Sequence, residues 1–275
     1  MKLNFTKMHG CGNDFIIFDN RNNILEHKNL PKFIKRICER KFNIGANGVM
    51  FVEKSNTADF TLRYFNADGS EGEMCGNGAR CIARFAYVNG IVDKNMSFDT
   101  LDGEYKAKIL ADGNVKIFFP PIDMKDILFH QTLLLDKEAI CYHFGSVGVP
   151  HTIVYREKIV QISDEKFIQW ASRIRNHKNF PKGTNVNIVQ IDNKHQISVR
   201  TYERGVEEET FACGSGATAS SIISTVLHKT KPPVQVKTRG GDLLIDFTID
   251  QDRIEHISLT GNAVIVYEGT INEIF

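Results

Sequence analysis

Two short segments, Cys75-Gly76-Asn77-Gly78-Ala79 and Cys213-Gly214-Ser215-Gly216-Ala217, each place a thiol directly before a Gly-x-Gly-Ala run. The residues that follow, Ala79 to Tyr87 and Ala217 to Leu227, lack both Pro and Gly, so a Gly-x-Gly turn opening into a helix is expected at each motif. A helix N-terminus offers unpaired N–H groups and about half a unit of positive charge, which stabilise a thiolate and can cradle a carboxylate. Glycine beside the thiol lets the backbone approach a ligand closely. A thiol with an ordinary pKa of about 8.5 moves toward neutrality in such a setting and can then give or take a proton.

Two such groups facing each other suit one reaction in particular. The α-proton of an amino acid is weakly acidic, so its removal needs a positioned base, a stabilised carbanion and a donor on the opposite face. Whichever cysteine is thiolate takes the proton, and the other thiol returns one with inverted configuration. Helix N-termini at Gly76-Asn77 and Gly214-Ser215 would hold the substrate carboxylate and stabilise the charge spreading onto it, so pyridoxal phosphate is not needed. Either cysteine alone would read as a small buried hydrophobe; repetition in the same context argues for chemistry. Cys81 falls inside the first expected helix, and Cys11, Cys38 and Cys141 have no duplicated context, so these four read as structural. A phosphate or dinucleotide site is disfavoured because neither copy completes Gly-x-Gly-x-x-Gly.

The elements that must position these thiols are duplicated too. At the spacing that separates Cys75 from Cys213, 138 positions, Gly10 falls on Gly148, Phe42 on Phe180, Gly45 on Gly183, Asn47 on Asn185 and Tyr64 on Tyr202. Gly76, Gly78, Ala79, Thr100 and Gly103 likewise fall on Gly214, Gly216, Ala217, Thr238 and Gly241. One offset across both halves implies two similar domains with an active site in the cleft between them. Duplication for stability alone would preserve apolar periodicity and need not preserve cysteine.

Phe15 to Phe18 and Thr152 to Tyr155 are short apolar runs that read as buried strands. Asp59 to Phe65 and Gln196 to Tyr202 alternate in polarity like half-buried strands, each leading toward its cysteine motif. The expected fold class is therefore α/β: two pseudo-symmetric mixed-sheet domains, each around a central helix. Pro120-Pro121 cannot continue a central strand and marks the boundary, giving an N-terminal half at 1–119 with Cys75 and a C-terminal half at 120–261 with Cys213.

Composition narrows the function classes. A hydrophobic content of 42% is enough for packed cores, and 34 basic against 33 acidic residues give a net charge of +1, no field for nucleic acid or an anionic membrane. No segment has the length of a signal-peptide core or a membrane span, so a cytoplasmic protein is expected, with its six cysteines as thiols rather than a disulfide framework. No Cys-x-x-Cys occurs and no His/Cys run has zinc spacing, so no metal is expected.

The chain resembles the diaminopimelate epimerase family. The resemblance runs through His9-Gly10-Cys11-Gly12-Asn13-Asp14-Phe15, Phe65-Asn66-Ala67-Asp68-Gly69-Ser70 and Met74-Cys75-Gly76-Asn77-Gly78 to Tyr202-Glu203-Arg204-Gly205 and Ala212-Cys213-Gly214-Ser215-Gly216, covering essentially the whole chain. It implies interconversion of LL- and meso-diaminopimelate for lysine and cell-wall synthesis, no metal or organic cofactor, and a homodimer. It also implies a last strand within 262–275 that returns to complete the first domain. Asn13, Asn66, Asn185, Glu203 and Arg204 are implied to hold the substrate, and Arg suits a distal carboxylate because it can grip one bidentately.

Four departures bear on the distal end. Val149 occupies a position where the family commonly has Asn, Asn47 one where it has Asp, and Gly48 one that is often Gln. The stretch from Glu203 to Cys213, with Glu207-Glu208-Glu209, is one residue longer than the commonest form. Two competing readings follow: a racemase of another amino acid such as histidine or glutamate, with Val149 reshaping the distal pocket, and a phenazine-biosynthesis-like isomerase or non-catalytic binder. Loss of either cysteine would have favoured the last, and both are present.

Overall fold

The computed structural model describes residues 2–25, 29–72 and 75–272. In chain order the strands are β1 (Leu3–Gly10), β2 (Asn13–Asp19), β3 (Gly48–Glu53), β4 (Phe60–Asn66), β5 (Asn95–Thr100), β6 (Gly103–Ile109), β7 (Val115–Phe118), β8 (Ile122–Asp123) and β9 (Leu128–Leu135). There follow β10 (Glu138–Val147), β11 (Val149–Tyr155), β12 (Asn185–Asn193), β13 (Gln196–Glu203), β14 (Glu208–Thr210), β15 (Val234–Thr238), β16 (Gly241–Asp250), β17 (Arg253–Gly261) and β18 (Val264–Ile271). The helices are α1 (Leu30–Cys38), α2 (Gly76–Val88), α3 (Asp164–Arg175) and α4 (Gly214–Val226). Contacts divide the chain into two compact units, 1–118 with 260–275, and 119–259.

In the first unit β18 pairs antiparallel with β1, β1 with β2, and β2 runs parallel to β3. The sheet continues through β4, β5, β6 and β7, with β4 and β5 parallel and the other pairs antiparallel. The two parallel steps are the ones crossed by helices, α1 between β2 and β3 and α2 between β4 and β5, because a parallel connection needs a long crossover. Helix α1 packs Phe33, Ile34, Ile37 and Cys38 outside the sheet, against Phe18, Val49 and Phe51. Helix α2 touches β1, β2, β3, β6 and β7, so the sheet curves around it.

The second unit repeats this plan. β9 pairs with β10, β10 with β11, β11 parallel to β12, β12 with β13, β13 parallel to β15, and β15 with β16. Helix α3 covers the outer face through Phe167, Ala171 and Ile174, while α4 touches β10, β11, β12, β13, β15 and β16. Small side chains let the sheet wrap closely around the first turns of α4. α4 is accordingly buried along Ala217, Thr218, Ala219, Ser220 and Ser221, with Thr218 and Ser221 returning their hydroxyls to the carbonyls four residues back.

The outer helices carry conventional caps. Asn29 accepts from the Lys32 amide at the start of α1, and Ser163 from Lys166 at the start of α3, where Asp164 and Glu165 also complement the helix dipole. The inner helices do not. Their N-cap residues are Cys75 and Cys213, extended at φ −109°, ψ 121° and φ −110°, ψ 113°, with no side-chain capping bond. The sequence places the helices after a Gly-x-Gly turn, whereas they begin at Gly76 and Gly214, so the glycines form the first turn itself. At Gly216 the reason is close approach: a Cβ would collide with Asn187 Oδ1.

Candidate active site

Each cysteine lies at the end of a polar relay that presents a hydrogen-bond donor to its sulfur. In the first unit, Asn13 at the start of β2 donates Nδ2–H to Cys75 Sγ at 3.6 Å. Its Oδ1 accepts from Asn47 Nδ2 at 2.9 Å, and Asn47 Oδ1 accepts from Arg40 at 2.7 Å. Arg40 is paired with Asp14, which Lys7 holds from the other side at 2.7 Å. Burial pushes the Asp14 carboxyl up, but the bonds and charges of Arg40 and Lys7 outweigh it and hold it below the usual range. The ion cluster thereby fixes which end of each amide faces the thiol.

In the second unit the chain of donors starts at Thr201, whose hydroxyl donates to Asn187 Oδ1 at 2.9 Å. Asn187 Nδ2 then donates to His151 Nδ1 at 3.1 Å. His151 therefore carries its proton on Nε2, which meets Ser215 Oγ at 2.9 Å, and Ser215 lies 3.5 Å from Cys213 Sγ. Complete burial, with Arg204 nearby, pushes His151 down to about 3, so the ring stays neutral and its polarity fixed across the working range of an enzyme. With its acceptor side filled by His151, the Ser215 hydroxyl is left to donate to the sulfur. Ser215→Ala should remove that bond. Hydrogen bonds to charged groups are worth about 1.5–3 kcal/mol, so steady-state assays should find kcat/KM lowered by roughly 10- to 150-fold with the fold intact.

Asn13 and His151 occupy equivalent places, since 151 is 13 displaced by the 138 that separates the two cysteines, and so do Asn77 and Ser215. The surroundings differ in charge. Behind Cys75, the fully buried Arg80 donates to the Gly76 carbonyl at 3.1 Å, Asn77 Oδ1 at 2.8 Å and the Asn262 carbonyl at 3.0 Å. Its equivalent in the second unit is the neutral Thr218. Beside Cys213 stands Glu203, whose carboxyl burial holds above the usual range, against hydrogen bonds from Thr210 and Cys213 that favour its ionised form.

The other residues singled out by sequence fall into two groups. Asn185 Oδ1 accepts the Arg204 amide at 2.8 Å, and Arg204 Nη1 donates to the Lys182 carbonyl at 3.0 Å, so these two form one corner near His151. Asn66 is engaged in its own turn, accepting from Tyr64 Oη at 3.0 Å and donating to Ser70 Oγ at 3.1 Å. At Gly48 a Cβ would lie 2.5 Å from the Phe65 carbonyl and 2.6 Å from the Tyr64 ring, so this backbone has no room for the longer residue common there. Two members of the acidic run are held by arginines: Glu207 pairs with Arg175 at 2.8 Å, and the enclosed Glu209 carboxylate with Arg200 at 2.6 Å and Arg239 at 2.9 Å. Arg40, His151, Asn187 and Thr201 were not among the candidates from sequence. The signal that finds His151 is the repeat, which sets it opposite Asn13.

The profile of the diaminopimelate epimerase family matches residues 5–119 and 144–266. The chain belongs to the diaminopimelate epimerase family. It is 40% identical to a diaminopimelate epimerase of Aquifex aeolicus, an alignment covering 98% of both chains. It is likewise 40% identical to one of Methanocella arvoryzae, covering 98% of this chain and 97% of that one. Among solved structures, a PhzF-family phenazine biosynthesis protein of Bacillus anthracis superposes with a TM-score of 0.76 at 16% identity, over 99% of this chain and 100% of that one. A hydroxyproline epimerase of Agrobacterium vitis, holding trans-4-hydroxy-L-proline, gives 0.70 at 13% identity, over 98% and 92%. These two share the fold, two α/β halves each built around a central helix. No helix among the described residues is long and apolar enough to cross a membrane.

Proposed function

We propose that this protein interconverts LL- and meso-diaminopimelate without a cofactor, as an isomerase serving lysine synthesis, with Cys75 and Cys213 as the acid and base. Family membership supports the reaction, and the observation that carries the mechanism is the pair of relays, each ending in a donor to a cysteine sulfur. A donor stabilises the thiolate after it forms, and the uncapped first turns of α2 and α4 offer backbone N–H groups of Gly76, Asn77, Gly214 and Ser215 to the substrate carboxylate. The unit of 1–118 with 260–275 supplies Cys75, and that of 119–259 supplies Cys213.

Asn13 and Asn66 are assigned to the substrate on the Cys75 side, and Asn185, Glu203 and Arg204 on the Cys213 side. Glu203 suits the substrate ammonium, whose charge would offset the cost of ionising an enclosed carboxyl. Arg204 suits the distal carboxylate. The protein is assigned to the cytoplasm and to a homodimer, for which the exposed Val264, Val266 and Tyr267 of β18 supply apolar surface.

Purified protein given LL-diaminopimelate and no added cofactor should produce the meso isomer. Arg204→Ala should weaken that reaction by on the order of 1.5–3 kcal/mol, the worth of a charge-assisted pair, seen as a fall in kcat/KM. Robust racemisation of histidine, glutamate or another amino acid, with no turnover of diaminopimelate, would overturn the assignment.

A further inference from the structure

The hairpin β9–β10 gathers three metal-ligating side chains that the linear sequence keeps apart. Cys141 and His143 are two apart on β10 and project from one face, opposite to that of Ile140 and Tyr142, which pack toward α3. His130 comes from β9, through an irregularity in the pairing. Cys141 faces Thr132 and Tyr142 faces Gln131, but Phe144 faces Leu128, so β9 carries one extra residue opposite His143. At this bulge His130 adopts φ 50°. Positive φ is uncommon outside glycine, and bulges re-aim side chains. Here the bulge brings the His130 ring to 5.0 Å from that of His143, edge-on. One ligand atom from each of His130, Cys141 and His143 lies within 4.8 Å of the other two.

We infer that His130, Cys141 and His143 bind one thiophilic transition-metal ion, Zn2+ or Cu+, independently of the proton chemistry at Cys75 and Cys213. One thiolate and two imidazoles form a donor set that selects these ions over hard cations such as Mg2+ or Ca2+. His143 is the fixed anchor: it is 4% exposed and packs edge-on against Phe129 and Tyr155. His130 and Cys141 are exposed. Metal bonds of about 2.0–2.3 Å put tetrahedral ligand atoms roughly 3.5 Å apart, so rotation of the two exposed side chains closes the site.

The tautomer of His143 is compatible with a metal at Nδ1. His143 Nδ1 accepts the His130 amide at 3.2 Å, which leaves its proton on Nε2. A metal taking Nδ1 replaces that hydrogen bond without a change of tautomer. The Lys229 ammonium, 5.0 Å over the Tyr155 ring, opposes a cation, and the Cys141 thiolate offsets it. Three ligands satisfy Cu+, whereas Zn2+ would complete its tetrahedron with water.

The test uses full-length, reduced, chelator-treated protein, titrated with Zn2+ and, without oxygen, with Cu+ against a chromophoric chelator. One ion per chain is expected in whichever arm binds, and that arm identifies the ion. Cys141→Ser and His130→Ala should each weaken binding by more than the ~10–100-fold that losing an outer-shell partner costs, while leaving epimerase activity unchanged. A Cys75→Ser/Cys213→Ser double variant should still take up the ion. Co2+ should give a sulfur-to-metal charge-transfer band that Cys141→Ser abolishes. No uptake by the unaltered protein, binding indifferent to Cys141→Ser, or binding lost in the double variant would each overturn the site.

Discussion

Replacing either Cys75 or Cys213 with Ala should abolish epimerisation in both directions. A positioned acid or base contributes about 10²–10⁴-fold, and in the proposed mechanism the two act on one proton transfer after another, so neither could compensate for the other. The double variant should therefore be no worse than either single one, as for groups that act as a unit. Neither change should unfold the protein, because neither cysteine caps its helix through its side chain. The single variants should also differ from each other. With Cys75 replaced, Cys213 can still exchange the α-proton on the face it touches, so only one stereoisomer should wash its proton into solvent, without inversion. The Cys213 variant should do the same with the other isomer. Chiral chromatography of products, with NMR of proton exchange, separates these outcomes, and inversion surviving in either variant would sink the two-base assignment.

The difference between the two cysteines has a structural basis in the relays. Cys75 has a buried cation behind it in Arg80, bonded to the carbonyl of the next residue. Cys213 has a carboxyl beside it in Glu203 and reaches its relay through a neutral histidine. The Arg80 charge favours a thiolate at Cys75, whereas Cys213 is hydrogen-bonded to the Glu203 carboxyl, a bond that its thiol donates. In the proposed mechanism each direction needs one thiol and one thiolate, and the pseudo-symmetric backbone supplies a position for each.

Much of this arrangement is legible in the sequence because it depends on local patterns. Alternating polarity marks β4 and β13, the apolar runs mark β2 and β11, and the Gly-x-Gly context marks the starts of α2 and α4. The relays are less legible because their members meet across strands. Asn187 reaches His151 through the parallel pairing of β11 with β12, a register that no single segment reveals. Arg40 reaches Asn47 and Asp14 from the loop after α1, where an arginine reads as solvated surface. Glu207 and Glu209 show in the sequence only as part of a lengthened stretch, whereas arginines from α3, β13 and the Thr238–Gly241 turn hold both. The group His130, Cys141 and His143 is hidden by its spacing, since only the bulge in β9 brings it together.

The fate of the transferred hydrogen should be equally decisive. In deuterium oxide a thiol exchanges with solvent, so the cysteine that donates carries deuterium, while the cysteine that abstracts starts as an empty thiolate. The first product molecules should therefore be almost wholly deuterated at the inverted centre, and unreacted substrate should remain largely protiated. A single base that removes and returns the same proton would allow internal return, giving protiated product and early deuterium in recovered substrate. The relays bear on which pattern appears. Each sulfur is held by a donor that favours its thiolate, and in the proposed mechanism the proton delivered to the far face comes from a different sulfur than the one that took the original. Mass spectrometry of both isomers at low conversion reads the answer directly, and substantial carry-over of the original hydrogen into product would exclude two opposed cysteines.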